Sequence, residues 1–100
     1  MPTVPYHDFL IERLRDPDHA GVYLTLCAEE SEDVFLLGLR QVAEALGGVS
    51  LLAEKTGLNR ESLYKLLSEN GNPRLSSLGA IIEAFGLKMS FEPKQAPDAA

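Results

Sequence analysis

The chain has 100 residues, of which 45% are hydrophobic, and it contains eight glycines and six prolines. This length and composition are typical of one globular domain with a single core, and they argue against a disordered or fibrous chain. No apolar run approaches the length of a membrane span, the first residues lack a signal-peptide layout, and the single cysteine, Cys27, cannot form a disulfide within the chain, so we expect a cytoplasmic protein.

The formal net charge of −6 is concentrated in the first third of the chain. Residues 1–33 contain eight acidic and two basic side chains, whereas residues 34–92 contain six of each. Because the distribution of charge matters more than its total, the neutral part can still contact nucleic acid if its basic side chains share one face. The acidic part either faces a basic partner or is a solvated surface that aids solubility.

Hydrophobic spacing and capping residues predict two helices in the acidic part. Residues 7–16 form a short helix, which Pro17 is expected to end. Asp18 is a candidate N-cap for a second helix at about residues 19–30. We therefore assign residues 1–33 to an acidic helical N-terminal extension.

The neutral part predicts four further helices. The clearest hydrophobic period lies at 33–46 and ends at two glycines. A helix of barely two turns follows at 49–57, Asn59 is well suited to cap the next helix at 59–69, and a last helix occupies 76–86. Apart from helix 49–57, the apolar stripes of the other five predicted helices form the expected core: Leu10, Leu14, Ala20, Tyr23, Leu24, Cys27, Phe35, Leu39, Val42, Leu46, Leu63, Leu66, Leu67, Leu78, Ile81, Ile82 and Phe85.

Beyond the last helix the hydrophobic period changes to that of a strand. Residues 87–92 read LKMSFE, in which apolar and polar side chains alternate, and this pattern predicts a short β-strand. A lone strand is not stable by itself, so it must pair with a second copy, as the seam of a dimer, or with the sheet edge of a partner. The tail at 93–100 is expected to be disordered.

The two short helices in the middle of the chain have the spacing of a helix-turn-helix. Counted from Val49, the residues Ala53, Gly57, Leu63 and Leu66 are the fifth, ninth, fifteenth and eighteenth. A small side chain at the fifth position lets the helices cross closely, and glycine at the ninth supplies a positive φ for the turn. The wedge between the helices is filled by Leu52, Leu58, Leu63 and Leu66. The start of the second helix then projects outward, as a recognition helix requires.

The polar side of helix 59–69 carries the residues that we expect to contact DNA. Arg60 is placed to bind guanine or a phosphate, and Lys65 lies one turn further on. Ser62 and Glu61 can contact base edges, and Tyr64 the sugar–phosphate chain. With residues near phosphates included, the predicted set is Ser50, Asn59, Arg60, Glu61, Ser62, Tyr64, Lys65, Asn72 and Arg74. The alternative is that these side chains form an ordinary solvated helix face.

Three sequence strings resemble known families: LRQVAEALGG, LLAEKTGLNRESLYKLLSENGNPRLSSL and IIEAFGLKMSF. Residues 34–92 resemble the Cro/phage-repressor (XRE-type) helix-turn-helix domain. The longer span 6–92 resembles the HigA-like "probable addiction module antidote protein" family, and Tyr6-His7-Asp8 adds to that likeness.

The resemblance implies an all-α, five- to six-helix, lambda-repressor-like DNA-binding domain, here followed by a short C-terminal β-strand. It implies an antitoxin that binds its own operator DNA and neutralises a small basic RelE/ParE/HigB-like toxin. In XRE-type domains the recognition residues correspond to Arg60, Glu61 and Lys65 of this chain. We expect a homodimer, because a single copy of a neutral domain would bind DNA weakly.

Other classes of protein remain as alternatives. His7 and His19 have no cysteine or histidine partner at metal-ligand spacing, and the chain has neither a glycine-rich phosphate loop nor a nucleophile elbow. We therefore expect no enzyme activity, no metal and no cofactor. The sequence is also compatible with a stand-alone XRE-type transcriptional regulator, or with a protein-interaction module that keeps the fold without binding DNA.

Overall fold

Six helices account for most of the described part of the chain, residues 6–95, in the computed structural model. All six lie within a few residues of their predicted positions, which confirms the all-α class. Their bounds are Tyr6–Arg13 (α1), Pro17–Glu30 (α2), Glu32–Ala45 (α3), Val49–Thr56 (α4), Arg60–Leu66 (α5) and Leu75–Ala84 (α6).

The start of α2 differs from its prediction. Asp16, not Asp18, is the N-cap, since the Asp16 Oδ1 accepts a hydrogen bond from the Asp18 backbone N–H at 2.9 Å. Pro17 is the first residue of α2 rather than the end of α1. A proline fits there because the first helical N–H has no partner within the helix, and its fixed φ already suits a helix.

The third helix is the centre of the fold. It packs against α1, α2 and α4, and Leu39 and Val42 have no exposed surface. The predicted stripe of α3 covers only one side, but Leu36 and Ala43 are buried as well, because the helix has neighbours on several sides. A Cβ atom at Gly38 would lie 3.0 Å from the Cys27 Sγ, so glycine there lets α2 approach closely.

One hydrophobic cluster joins all six helices. It contains Leu10 and Leu14 from the first part of the chain together with Leu63 and Ile81 from the later helices. The predicted core is confirmed: twelve of its members are buried, and the other five are half-buried against the same cluster. Those five are Tyr23, Phe35, Leu46, Leu66 and Leu78.

The buried Cys27 thiol and the half-buried Tyr23 hydroxyl of α2 face α3. Cys27 is buried, and this burial raises the pKa of its thiol. The pKa of the Tyr23 hydroxyl is also raised by burial, and this hydroxyl donates a hydrogen bond of 2.6 Å to the Gln41 Oε1. Both side chains therefore serve the α2–α3 contact in their neutral forms.

The strand predicted at 87–92 is not formed within the single chain. Among residues 6–95 the structure contains no strand, and 87–95 belong to no helix either. The physical reason is that a strand needs a neighbour for its backbone groups, and the helical remainder of the described chain offers no sheet edge. Residues 96–100 of the predicted disordered tail lie outside the described residues.

No single helix within the described chain is long and apolar enough to cross a membrane. The pair α3 and α4 reaches the length and composition of a span, but a bend of 93° separates the two helices. Both contribute to the hydrophobic cluster, through Leu39 and Leu52 among others.

Candidate nucleic-acid interface

The turn between α4 and α5 is built around Gly57. This residue has a φ of 74°, as predicted, and its N–H donates to the Ala53 carbonyl at 2.9 Å. The Thr56 hydroxyl donates to the Leu52 carbonyl at 2.8 Å and accepts from the Leu58 N–H at 3.2 Å. These bonds end α4 and begin the next segment within three residues, and they thereby fix the direction of α5 relative to α4.

Asn59 is the N-cap of α5. Its Oδ1 accepts hydrogen bonds from the backbone N–H groups of Glu61 at 2.7 Å and Ser62 at 3.3 Å. This confirms the predicted capping role. Because the oxygen is already used, only the side-chain NH₂ remains for any external contact, so Asn59 first of all positions the helix.

Buried leucines set the rotation of α5 about its axis. Leu63 and Leu67 are 0% and 2% exposed, and Leu52 of α4 is buried beside them in the same cluster. Leu58 and Leu66 are half-buried against this cluster, as predicted for side chains that fill the wedge, and Ala53, predicted at the helix crossing, is half-buried there too. The opposite side of α5 consequently faces solvent, and the exposed residues on it are Arg60, Glu61, Ser62, Tyr64 and Lys65.

The C-terminal end of α5 is held by a residue absent from the predicted set. Arg40 of α3 is half-buried, and its Nη1 donates a hydrogen bond to the Leu67 carbonyl. A guanidinium satisfies a carbonyl that has no partner within the helix, so this contact ties α5 to the central helix. The available signal was a lone charged residue inside the apolar string LLGLRQVA.

The turn after α5 depends on Gly71. A Cβ atom there would lie 2.1 Å from the Leu66 carbonyl oxygen, so no other residue fits without moving the backbone. The turn is closed by a hydrogen bond of 2.9 Å from the Gly71 N–H to the Ser68 carbonyl. Asn72 and Arg74 follow it in the connection to α6, and both are exposed.

The structure thus places the predicted site residues on three elements. Five share the exposed side of α5, Asn59 caps that helix, Ser50 lies in the first turn of α4, and Asn72 and Arg74 precede α6. Among the described residues, no hydrogen bond or ion pair joins Ser50, Asn72 or Arg74 to the side chains of α5. Their convergence on one ligand therefore stays a prediction.

The basic side chains of this surface are available to a partner. Within residues 6–95, contacts of 4 Å or less between acidic and basic side chains link His7 to Glu44, Arg15 to Glu12 and His19 to Asp16, and none involves Arg60, Lys65 or Arg74. No polar or charged residue of the described chain is buried.

Comparison with known proteins makes the class more specific. The family model described as "Probable addiction module antidote protein" matches residues 7–93, so the chain belongs to this family. An uncharacterized protein of Haemophilus influenzae is 29% identical over 92 residues, which cover 90% of this chain and 94% of that one. No solved structure matches the chain.

Membership in this family has two direct consequences. An antidote acts against a toxin, so the family implies a cognate toxin as a partner and a role in a toxin–antitoxin pair. It also indicates a regulatory rather than a catalytic protein.

The cap of α5 can be tested apart from any ligand. Replacing Asn59 with alanine removes the acceptor for two N–H groups, and we expect the free energy of unfolding to fall by about 1 kcal/mol in urea denaturation. Asn59→Asp keeps the acceptor and places a negative charge at a helix N-terminus, so it should retain the stability. An equal loss in both variants would contradict the capping role of the Oδ1.

Proposed function

We propose that this protein is the antitoxin of a type II toxin–antitoxin module, which binds operator DNA through the helix pair α4–α5, represses its own operon and neutralises a RelE/ParE/HigB-like toxin. The observation that carries the DNA-binding part is the exposed side of α5, where Arg60 and Lys65 have no ion-pair partner among residues 6–95. Family membership supports the antitoxin part.

In this proposal α5 is the recognition helix of a helix-turn-helix. Its seven residues span roughly 10 Å, which fits across a major groove. Arg60 binds the O6 and N7 of a guanine or a phosphate, Lys65 binds a phosphate, and Ser62 contacts a base edge or a phosphate. Glu61 accepts from a cytosine amino group, which adds discrimination rather than affinity.

Contacts to the DNA backbone come from elements on either side of α5. The N-cap of α4 is Gly48, which offers no side-chain acceptor, so the first N–H groups of α4 and the hydroxyl of Ser50 are free for a phosphate. Tyr64, Asn72 and Arg74 contact the sugar–phosphate chain, where they fix register without reading sequence.

The charge balance makes a dimer part of the proposal. Residues 34–92 carry six basic and six acidic side chains, so a single copy gains little from phosphate attraction. A two-fold dimer that presents two α5 helices about 34 Å apart would engage successive major grooves of a palindromic operator. Two weak contacts on one molecule then act together.

The DNA contact is tested by a gel shift with a duplex from the promoter of this protein's own operon. We expect Arg60→Ala/Lys65→Ala to weaken binding about 10-fold or more, because each substitution removes a charged group that binds the DNA. The slope of log affinity against log salt should also become shallower by about one for each phosphate that the variant no longer binds.

The matched control for this experiment is Arg13→Ala/Arg15→Ala. It removes the same amount of charge from the end of α1 and the turn after it, where Arg15 forms an exposed pair with Glu12 that contributes little to stability. This control should bind like the wild type. If both double variants weaken binding equally, only the total charge matters, and the recognition-helix proposal fails.

The toxin-binding part of the proposal assigns the acidic residues of the first third of the chain to a basic toxin. Glu29 and Glu30 occupy the last turn of α2, which contains no basic residue. A helix C-terminus carries a partial negative charge, so two carboxylates there destabilise α2 slightly. A cationic partner would remove this penalty and be attracted more rapidly.

This surface is tested by charge reversal. Glu29→Lys/Glu30→Lys should leave folding intact and weaken capture of the toxin encoded beside this gene at least about 10-fold, measured by pulldown with purified toxin. Glu54→Lys/Glu83→Lys makes the same change in charge on α4 and α6, and should capture the toxin normally. Unchanged capture by the first variant would place the toxin elsewhere.

A second candidate function is a protein-interaction module that has the same helices but does not bind DNA. The net charge of −6 favours it. The gel shift separates the two, because a toxin complex with no shift at any salt concentration fits only the second. A stand-alone regulator is distinguished by the neighbouring gene, which would then encode no small basic protein.

A further inference from the structure

The segment 87–92 has the sequence of a strand and an unpaired backbone. The Leu87 N–H donates to the Ile82 carbonyl at 3.1 Å, which closes α6. From residue 88 to residue 92 no backbone N–H or carbonyl bonds another backbone group of the described chain. Lys88, Ser90 and Glu92 are all exposed. The segment therefore presents a free hydrogen-bonding edge.

Two of the three apolar side chains of the same segment lie against neighbouring helices. Leu87 lies against α2, with its Cδ2 3.6 Å from the position that a Cβ of Gly21 would take. Met89 approaches α6, with its Cε 3.9 Å from the corresponding position at Gly79. Phe91, the next apolar residue, remains 91% exposed. Two of the three apolar side chains thus have a neighbour, and the third contributes mostly free surface.

Beside this segment runs an open apolar groove of about 780 Å³ between it and α2. Val22 and Leu26 line its α2 side and are 63% and 59% exposed, and Phe91 lines the other side. Large apolar side chains clustered at a groove indicate an interaction site more strongly than the same residues scattered singly. No residue of α5 lines the groove.

We propose that two copies of this chain pair through residues 87–93 as antiparallel strands around a two-fold axis at Ser90, and that Phe91 of each copy fills the groove of the other. This inference rests on the homodimer of the proposed function and specifies its seam and register.

The charges of the segment are self-complementary in this register alone. With Ser90 opposite its own copy, Lys88 of one chain lies opposite Glu92 of the other, and the arrangement occurs twice by symmetry. On the apolar side Met89 lies opposite Phe91 of the second chain. A shift of one residue would place the apolar side chains of one strand among the polar ones of the other.

The position of Pro93 fits the same register. Opposed residues in an antiparallel pair alternate between hydrogen-bonded and non-bonded positions. If Ser90 and Lys88 occupy bonded positions, Leu87 opposite Pro93 is a non-bonded one, where the missing N–H of proline has no consequence. The pairing can thus extend over the whole segment.

The test exchanges the two charges and measures mass in solution by sedimentation over a range of protein concentrations, without DNA or toxin. Lys88→Glu and Glu92→Lys each convert both cross-strand pairs to like charges, and each should weaken the dimer about 10-fold. The double variant Lys88→Glu/Glu92→Lys restores opposite charges and should dimerise like the wild type. Mixing the two single variants should give a heterodimer, since its pairs are again opposite in charge.

The groove is tested by Phe91→Ser, which should weaken the dimer about 100-fold because two aromatic side chains lose their burial. Phe9→Ser changes an exposed phenylalanine of α1 outside the groove and should leave the dimer unchanged.

A monomeric wild type, or a dimer insensitive to the charge exchange and to Phe91→Ser, would overturn the inference. If the wild type is monomeric and Phe91→Ser no longer captures the toxin, the groove belongs to the toxin instead. A dimer that is insensitive to these substitutions would leave the homodimer of the proposed function in place with a different seam, whereas a monomeric wild type would remove the dimer from that function as well.

Discussion

Burial of Leu63 and Leu67 determines which side of α5 meets solvent, and the candidate site depends on that one constraint. Both side chains are almost fully removed from water in the cluster that joins all six helices, and turning them outward would expose their apolar surface, at a cost of roughly 1.5–3 kcal/mol each. Asn59 satisfies the N–H groups at one end of the helix, and Arg40 binds a carbonyl at the other. These contacts therefore fix the direction in which the polar side of α5 faces.

Much of this architecture follows from the sequence because its signals are local. The helices could be placed from hydrophobic spacing, and Gly57 from the positive φ that a short turn needs. The N-cap of α2 could not be placed in this way, because Asp16 and Asp18 both flank Pro17 and only the backbone geometry shows which of them is the cap. The role of Arg40 could not be predicted from the sequence either, because its hydrogen-bond partner is a carbonyl 27 residues away along the chain. Residues 87–92 do alternate between apolar and polar side chains, which predicts a strand, but the described chain contains no second strand with which they could pair.

The molecule separates its charges by region. Arg60 and Lys65 on α5 are exposed and have no ion-pair partner among residues 6–95, as is also true of Arg13, Lys55, Arg74, Lys88 and Lys94, whereas the acidic excess lies on α1, α2 and the start of α3. At physiological ionic strength charges separated by more than about 8 Å are largely screened, so a partner responds to the surface that it touches rather than to the net charge of −6. In the proposed function the α5 surface meets DNA and the acidic surface meets a toxin; Glu29 of that acidic surface also lines the groove beside 87–91, so a toxin and a second copy would lie next to each other on α2.

The most direct test of the DNA-binding account is a titration of ¹⁵N-labelled protein with a duplex from its own promoter, followed by NMR. The account predicts that the backbone amides of residues 59–65 change most, together with those of Ser50, Asn72 and Arg74, and that the amides of α1 and α2 remain where they are. Changes confined to α1, α2 or residues 87–91, or no change at low salt, would contradict it and leave an antidote that meets its toxin without reading DNA.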